Sequence, residues 1–124
     1  RKLASSQADV TSLRPMKICE LHVGQVHHKR ILYCRVVARC TFLNSVQTIL
    51  EDSENNIADL AVYNAPGVKV QRDAERYLSL GRHVAVKEPF FKMRADGTEG
   101  IRVDNPQEIL LDVKCPADVE MPAA

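Results

Sequence analysis

The chain has 124 residues, 27% of them charged, with a net charge of +1, a size that suits one domain with a core of its own. So even a balance gives no bulk field towards nucleic acid or acidic lipid, and no apolar run approaches the ~20 residues of a membrane span. The cysteines Cys19, Cys34, Cys40 and Cys115 form no Cys-x-x-Cys pair and His27-His28 lacks zinc-ligand spacing, so no metal or cofactor is expected and a reduced, intracellular (nuclear or cytoplasmic) setting is the simpler reading.

Residues 1–14 are polar and lack periodicity, which predicts a flexible arm or linker ending at Pro15. The first residue is Arg1, not methionine, as expected for a piece of a longer polypeptide. Ile18, Leu21 and Val23 then recur ahead of Gly24 and predict a short lead-in over one end of the core. Three runs rich in β-branched residues follow, at 29–39, 45–52 and 57–64, and they predict a three-stranded meander. The first strand should begin near 25–30 and be unusually long. Along it Leu32, Cys34 and Val36 alternate with Tyr33, Arg35 and Val37, so the apolar set should face inward and the mixed set outward. In the third strand Ala58, Leu60 and Val62 should be inside, since burying an unpaired Asp59 would cost roughly several kcal/mol. The middle strand offers either Val46, Thr48 and Leu50 or Ile49 as its inner set, and Gln47 with Glu51 favours the first. Residues 41–44 and 53–56 supply the turns.

After Tyr63, Asn64-Ala65-Pro66-Gly67 breaks the strand. Val70, Ala74, Tyr77 and Leu78 form one apolar stripe, which predicts a helix over 68–80 with Gly81 as its terminating glycine. Residues 83–88 predict a fourth strand with Val84 and Val86 inward, closed by Pro89-Phe90-Phe91. Ala95-Asp96-Gly97 is a turn, 101–103 the last strand, and 104–106 a break. The apolar run 108–113 fits a strand or a short helix. Residues 114–124 read as a tail or linker.

Three strands, one helix and two strands is the order of the OB fold, a five-stranded Greek-key barrel whose helix lies between strands three and four. The expected class is therefore all-β with small α content. Leu21-His22-Val23-Gly24, residues 50–57 and residues 77–86 each resemble OB-fold segments, although Asn56 stands where the turn between strands two and three usually has glycine. Residues 88–92 followed by 100–106 resemble a region near the N-terminus of large eukaryotic proteins that combine tetratricopeptide repeats with a SET domain. That resemblance implies an accessory OB domain at 15–113, with any methyltransferase activity elsewhere in the longer chain.

No catalytic signature stands out. Asp52 and Glu54 lie on a predicted hairpin turn, where acids are common, and no Gly-rich phosphate loop is present. Basic residues gather in 27–39 and acidic ones in 51–59, which reads as two solvated strand ends or as a basic rim for phosphates. The OB resemblance implies binding across Gln47, Asp59, Ala61 and Tyr63, flanked by Tyr33 and Arg35 and gripped by Arg39 with Phe42 and by Lys92 with Arg94. Aromatic residues among cations suit single-stranded RNA or DNA, while Phe42, Phe90 and Phe91 serve equally well as barrel plugs. The alternative is a protein-interaction or interdomain docking module that presents Ile49, Ala61 and Tyr63 to a partner.

Overall fold

A computed structural model describes residues 9–116 and residue 119; the predictions for 1–8 and most of the C-terminal tail lie outside these residues. Ten strands occur among them: β1 (Arg14–Met16), β2 (Gln25–Val26), β3 (Arg30–Val36), β4 (Thr41–Phe42), β5 (Val46–Glu51), β6 (Ile57–Val62), β7 (His83–Lys87), β8 (Phe90–Met93), β9 (Glu99–Val103) and β10 (Ile109–Leu111). One helix, α1 (Gln71–Tyr77), separates β6 from β7. The strands follow the path β10-β7-β3-β5-β6-β9-β8-β2, with β1 beside β3 and β4 beside β5.

The path closes because two pairs of strands are halves of single bent strands. β2 and β3 meet at Lys29, and β7 and β8 meet at Glu88-Pro89; Lys29 and Glu88 hold φ of 63° and 46°. Both bends lie side by side. The Lys29 amide donates to Glu88 Oε2 at 2.8 Å, and the Glu88 amide donates to the Arg30 carbonyl at 2.8 Å. β3 therefore pairs with β7 while β2 pairs with β8 across the same two strands. Such matched bends let a short sheet curl onto itself. β6 and β9 are parallel and β8 and β9 antiparallel, so five long bent strands make the expected Greek-key barrel. The fourth strand does not close at Pro89-Phe90-Phe91. The chain kinks at that proline and resumes as β8. Residues 108–113, whose pattern fits strand or helix, comprise the end of a 3-10 turn (Pro106–Glu108) followed by β10, which pairs with β7.

The barrel interior holds Leu32, Cys34, Val36, Leu60, Val62, Val84 and Val86, as the alternation predicts, together with Val46 and Leu50 from the middle strand, Ile101 and Val103. Burial pushes the Cys34 thiol well above its ordinary value, with the Asp52 charge adding to the effect. The helix is shorter than the 68–80 expected. Asp73 Oδ2 accepts from the Lys69 and Val70 amides at 3.0 and 3.3 Å and fixes the start. At the far end Arg82 donates to the Arg76 and Tyr77 carbonyls at 3.1 and 2.9 Å, which ends the helix before Gly81. Ala74 and Leu78 plug the barrel, whereas Val70 remains exposed.

A second apolar cluster lies outside the barrel. Leu13, Ile31, Tyr33 and Ala85 are buried there, with Val10, Leu110, Val113, Cys115 and Val119 against them. Residues 10–14, on the expected arm of 1–14, contribute a 3-10 turn (Val10–Ser12) capped by Asp9, then Leu13 and the first residue of β1, which runs on to Met16. Tyr33 does face out of the barrel as its alternation requires, but chain segments from both ends of the domain cover it.

Candidate nucleic-acid interface

The registers of adjacent strands fix the outer face. Gln47 of β5 stands beside Ala61 of β6, Ala61 beside Arg102 of β9, and Arg102 beside Phe90 of β8. One row further along, Ile49, Asp59, Gly100 and Lys92 line up in the same order. Partners in register point to the same side, so these two rows, with Tyr63 just past the end of β6, share the outer side of the sheet, where Ala61 and Phe90 are nearly covered. A groove of about 240 Å³ crosses it, lined by Ala61, Tyr63, Lys92, Met93, Arg94 and Arg102 among others.

Each cation of the groove is placed differently. The Arg102 guanidinium lies 4.2 Å from the Tyr63 ring centroid, a cation–π contact, and its Nε donates to Asp104 Oδ1 at 2.9 Å. Arg94 reaches back from the end of β8 across Gly100. Its Nη2 is paired with Asp59 Oδ2, and its Nε donates to Thr98 Oγ1 at 3.1 Å. Thr98 in turn donates to Asp96 Oδ1 at 2.6 Å, which holds the Asp96 carboxyl below its usual range. Gly100 makes this posture possible, since a Cβ there would meet Arg94 Cζ at 3.2 Å. Lys92 is exposed, and no ion pair to it is found among the described residues. Met93, 48% exposed, lies on the groove rim.

Of the residues the sequence singles out, Ala61, Tyr63, Lys92 and Arg94 meet in this groove and the others do not line it. Tyr33 is 4% exposed, under the second cluster, so it is closed to a ligand. Arg35 is half-buried and donates to Glu51 Oε1 at 3.0 and 2.8 Å, across the β3–β5 register. Arg39 is on the helix side, where it pairs with Glu75 at 3.0 Å. Phe42 packs against the barrel interior while its amide donates to Gln71 Oε1, which makes it one of the barrel plugs. The separate basic and acidic segments also resolve into pairs: Arg35 with Glu51, Lys17 with Glu54, Arg30 with Glu20 and Arg94 with Asp59. Arg102 and Gly100 also line the groove and are not among the residues the sequence singles out. The available signal was their two-residue spacing, which puts both on one face of the last strand.

Asp52 is no solubility residue. It is 1% exposed, and its Oδ1 accepts from the Glu54 and Asn56 amides while Oδ2 accepts from the Ile18 amide. Asn55, at φ 66°, takes the left-handed position of this turn, so a glycine at 56 is not needed. His27 likewise has a structural place, its Nε2 accepting from the His22 amide at 2.9 Å and its Nδ1 bonded to the Pro89 carbonyl at 2.9 Å. Among the described residues no group of three or more His, Cys, Asp or Glu side chains is arranged to hold a metal ion, and no helix is long and apolar enough to cross a membrane.

No family model matches the chain. A methyltransferase of Gibberella zeae is 30% identical over 98 residues, which is 79% of this chain and 13% of the fungal protein; the chain thus spans about an eighth of the relative's length. Among solved structures, Schizosaccharomyces pombe Pot1pC bound to single-stranded DNA superposes with a TM-score of 0.57 at 9% identity, covering 79% of this chain and 86% of that one. An aspartyl-tRNA synthetase from Leishmania major gives 0.54 at 12% identity, over 93% of this chain and 23% of its own. The tetrameric p202 HIN2 gives 0.52 at 17%, over 87% and 53%. At these identities the likeness concerns the fold, and it agrees with the OB barrel described above.

Proposed function

We propose that the chain is a non-catalytic binding module for single-stranded nucleic acid, with the ligand laid across the outer face of β5, β6, β8 and β9. The observation that carries this is the groove itself, where the Tyr63–Arg102 stack stands beside Lys92 and Arg94. Stacking platforms beside cations are what single strands require, each stacked base being worth about 1–3 kcal/mol. The same face of the fold serves oligonucleotide binders, and Pot1pC, which shares the fold, is bound to single-stranded DNA. The binding set is then Tyr63, Lys92, Arg94 and Arg102. With a net charge of +1 and the Arg94 and Arg102 cations of the groove already paired with carboxylates, affinity should be roughly micromolar and salt-sensitive. Titration of labelled single-stranded DNA and RNA at low and moderate salt tests this. Tyr63→Ala and Lys92→Glu should weaken binding, and Arg39→Glu, on the helix side, should not. No binding at low salt would overturn the proposal.

A second reading is favoured by the Gibberella zeae methyltransferase, in which the matching region is 13% of the length. In that reading the module docks onto a neighbouring domain or a protein partner, in line with the resemblance to tetratricopeptide-repeat and SET proteins, and methyl transfer takes place elsewhere in the parent chain. An apolar protein interface would show little of the salt dependence expected of phosphate contacts.

A further inference from the structure

Arg94 is held from three directions. Thr98 accepts from its Nε, Gly100 leaves room for its guanidinium to lie flat on β9, and Asp59 pairs with its Nη2. The first two position the side chain. The third occupies Nη2, an arm of the guanidinium that the other two leave free. Lys92 stands in register with Gly100, and Gly100 with Asp59, so the carboxylate, the arginine and the lysine lie along one row of the face. Arg94 thus already holds one anionic group, the Asp59 carboxylate, and Lys92 lies on the same row with no carboxylate paired to it among the described residues. A guanidinium takes carboxylate and phosphate in the same forked geometry.

From this we infer that Asp59 is a resident competitor for the ligand's phosphate: a phosphodiester enters the seat formed by Arg94 and Lys92 by displacing the Asp59 carboxylate. The inference rests on the nucleic-acid reading above and adds to it a built-in brake on affinity. The pair is not deeply buried, Arg94 and Asp59 side chains being 28% and 40% exposed, so exchange needs no unfolding. Thr98 keeps Arg94 near the groove after Asp59 has left. Gly100 becomes a positioning residue. Its φ is not in the left-handed region and the atom a Cβ would crowd is the end of a flexible side chain, so Gly100→Ala should leave stability intact while moving the guanidinium off its seat.

The test measures fluorescence anisotropy of a labelled mixed-sequence single-stranded oligonucleotide, as DNA and as RNA, with the whole chain, four single variants and one double variant. Asp59→Asn should bind about two- to fivefold tighter than wild type, the range that an exposed ion pair converts to. Arg94→Gln should bind more weakly and should abolish most of the gain when combined with Asp59→Asn. Gly100→Ala should weaken binding with an unchanged melting temperature. Glu99→Gln, a neighbouring exposed acid on β9, removes the same charge without touching Arg94 and should change affinity less than Asp59→Asn. Equal gains from Asp59→Asn and Glu99→Gln would show bulk charge alone and overturn the inference. So would wild-type binding that Arg94→Gln weakens while Asp59→Asn leaves it unchanged; in both cases the nucleic-acid reading would stand. Binding by Asp59→Asn where wild type shows none would support the competitor directly. Absence of binding by both would remove the inference together with the reading it rests on.

Discussion

Replacing Asp52 with alanine should cost the domain about 2–4 kcal/mol, although it removes an acid from a hairpin turn. The magnitude follows from the partners. Asp52 accepts three backbone amides, at 2.8 Å from Ile18, 3.0 Å from Glu54 and 3.1 Å from Asn56. A hydrogen bond to a charged acceptor is worth about 1.5–3 kcal/mol net, and a buried donor left alone costs about 1–3. All three bonds are part-buried; Glu54 and Asn56 are exposed residues whose amides regain water more readily, whereas the bond from the half-buried Ile18 ties the lead-in segment to the barrel. Asp52→Asn keeps one acceptor but turns an amide NH₂ towards one of these donors, so roughly half the loss is expected. Glu54→Ala, two residues on, removes only an exposed pair with Lys17 and should stay within about 0.5 kcal/mol. Urea denaturation of the three variants at neutral pH, with unchanged slopes, reads the differences. Hydrogen exchange at the Ile18 amide should accelerate in Asp52→Ala and not in Glu54→Ala. Equal midpoints for Asp52→Ala and Glu54→Ala would refute the account of this turn.

Leu60 is fully buried in the barrel, so Leu60→Ala should cost about 2–5 kcal/mol, whereas Asp59→Ala, on the outer face of the same strand, should cost no more than about 1 kcal/mol; equal midpoints would mean a register slipped by one residue. Acid should destabilise the domain. Arg35 bonding lowers Glu51 below 4.5, Gln71 and Arg39 lower Glu75, and Arg82 lowers Asp112 below 3.8. Groups with depressed native pKa contribute stability above their unfolded values, and it is lost as pH falls through the native ones. Melting temperature should therefore hold from neutral pH down to about pH 5 and then drop, and a flat profile to about pH 3 would contradict these pairings.

The barrel was legible because its signals are local. Two-residue alternation identified the inner residues of β3, β6 and β7, and one apolar stripe located the helix. Contacts between distant segments were not legible. Nothing near Tyr33 announces that Leu13 and Leu110 will cover it, so an outward position was mistaken for an open one. Pro89 looked like a stop because proline interrupts a ladder, yet in a bent strand it marks the corner. Helix ends depended on Asp73 and on Arg82, whose capping bonds periodicity does not report. In the groove, Tyr63, Lys92 and Arg94 followed from fold resemblance. Arg102 and Gly100 required the parallel register of β6 with β9, which joins residues about 41 positions apart.

Backbone amide chemical-shift mapping during titration with a single-stranded oligonucleotide tests the central claim most directly. The account predicts dose-dependent shifts concentrated at Ala61, Tyr63, Lys92, Arg94, Gly100 and Arg102, weakening as salt rises, with β10 and α1 unmoved. Shifts centred on β10, on α1 or on the Arg39 side, or none at the highest oligonucleotide concentration, would contradict it.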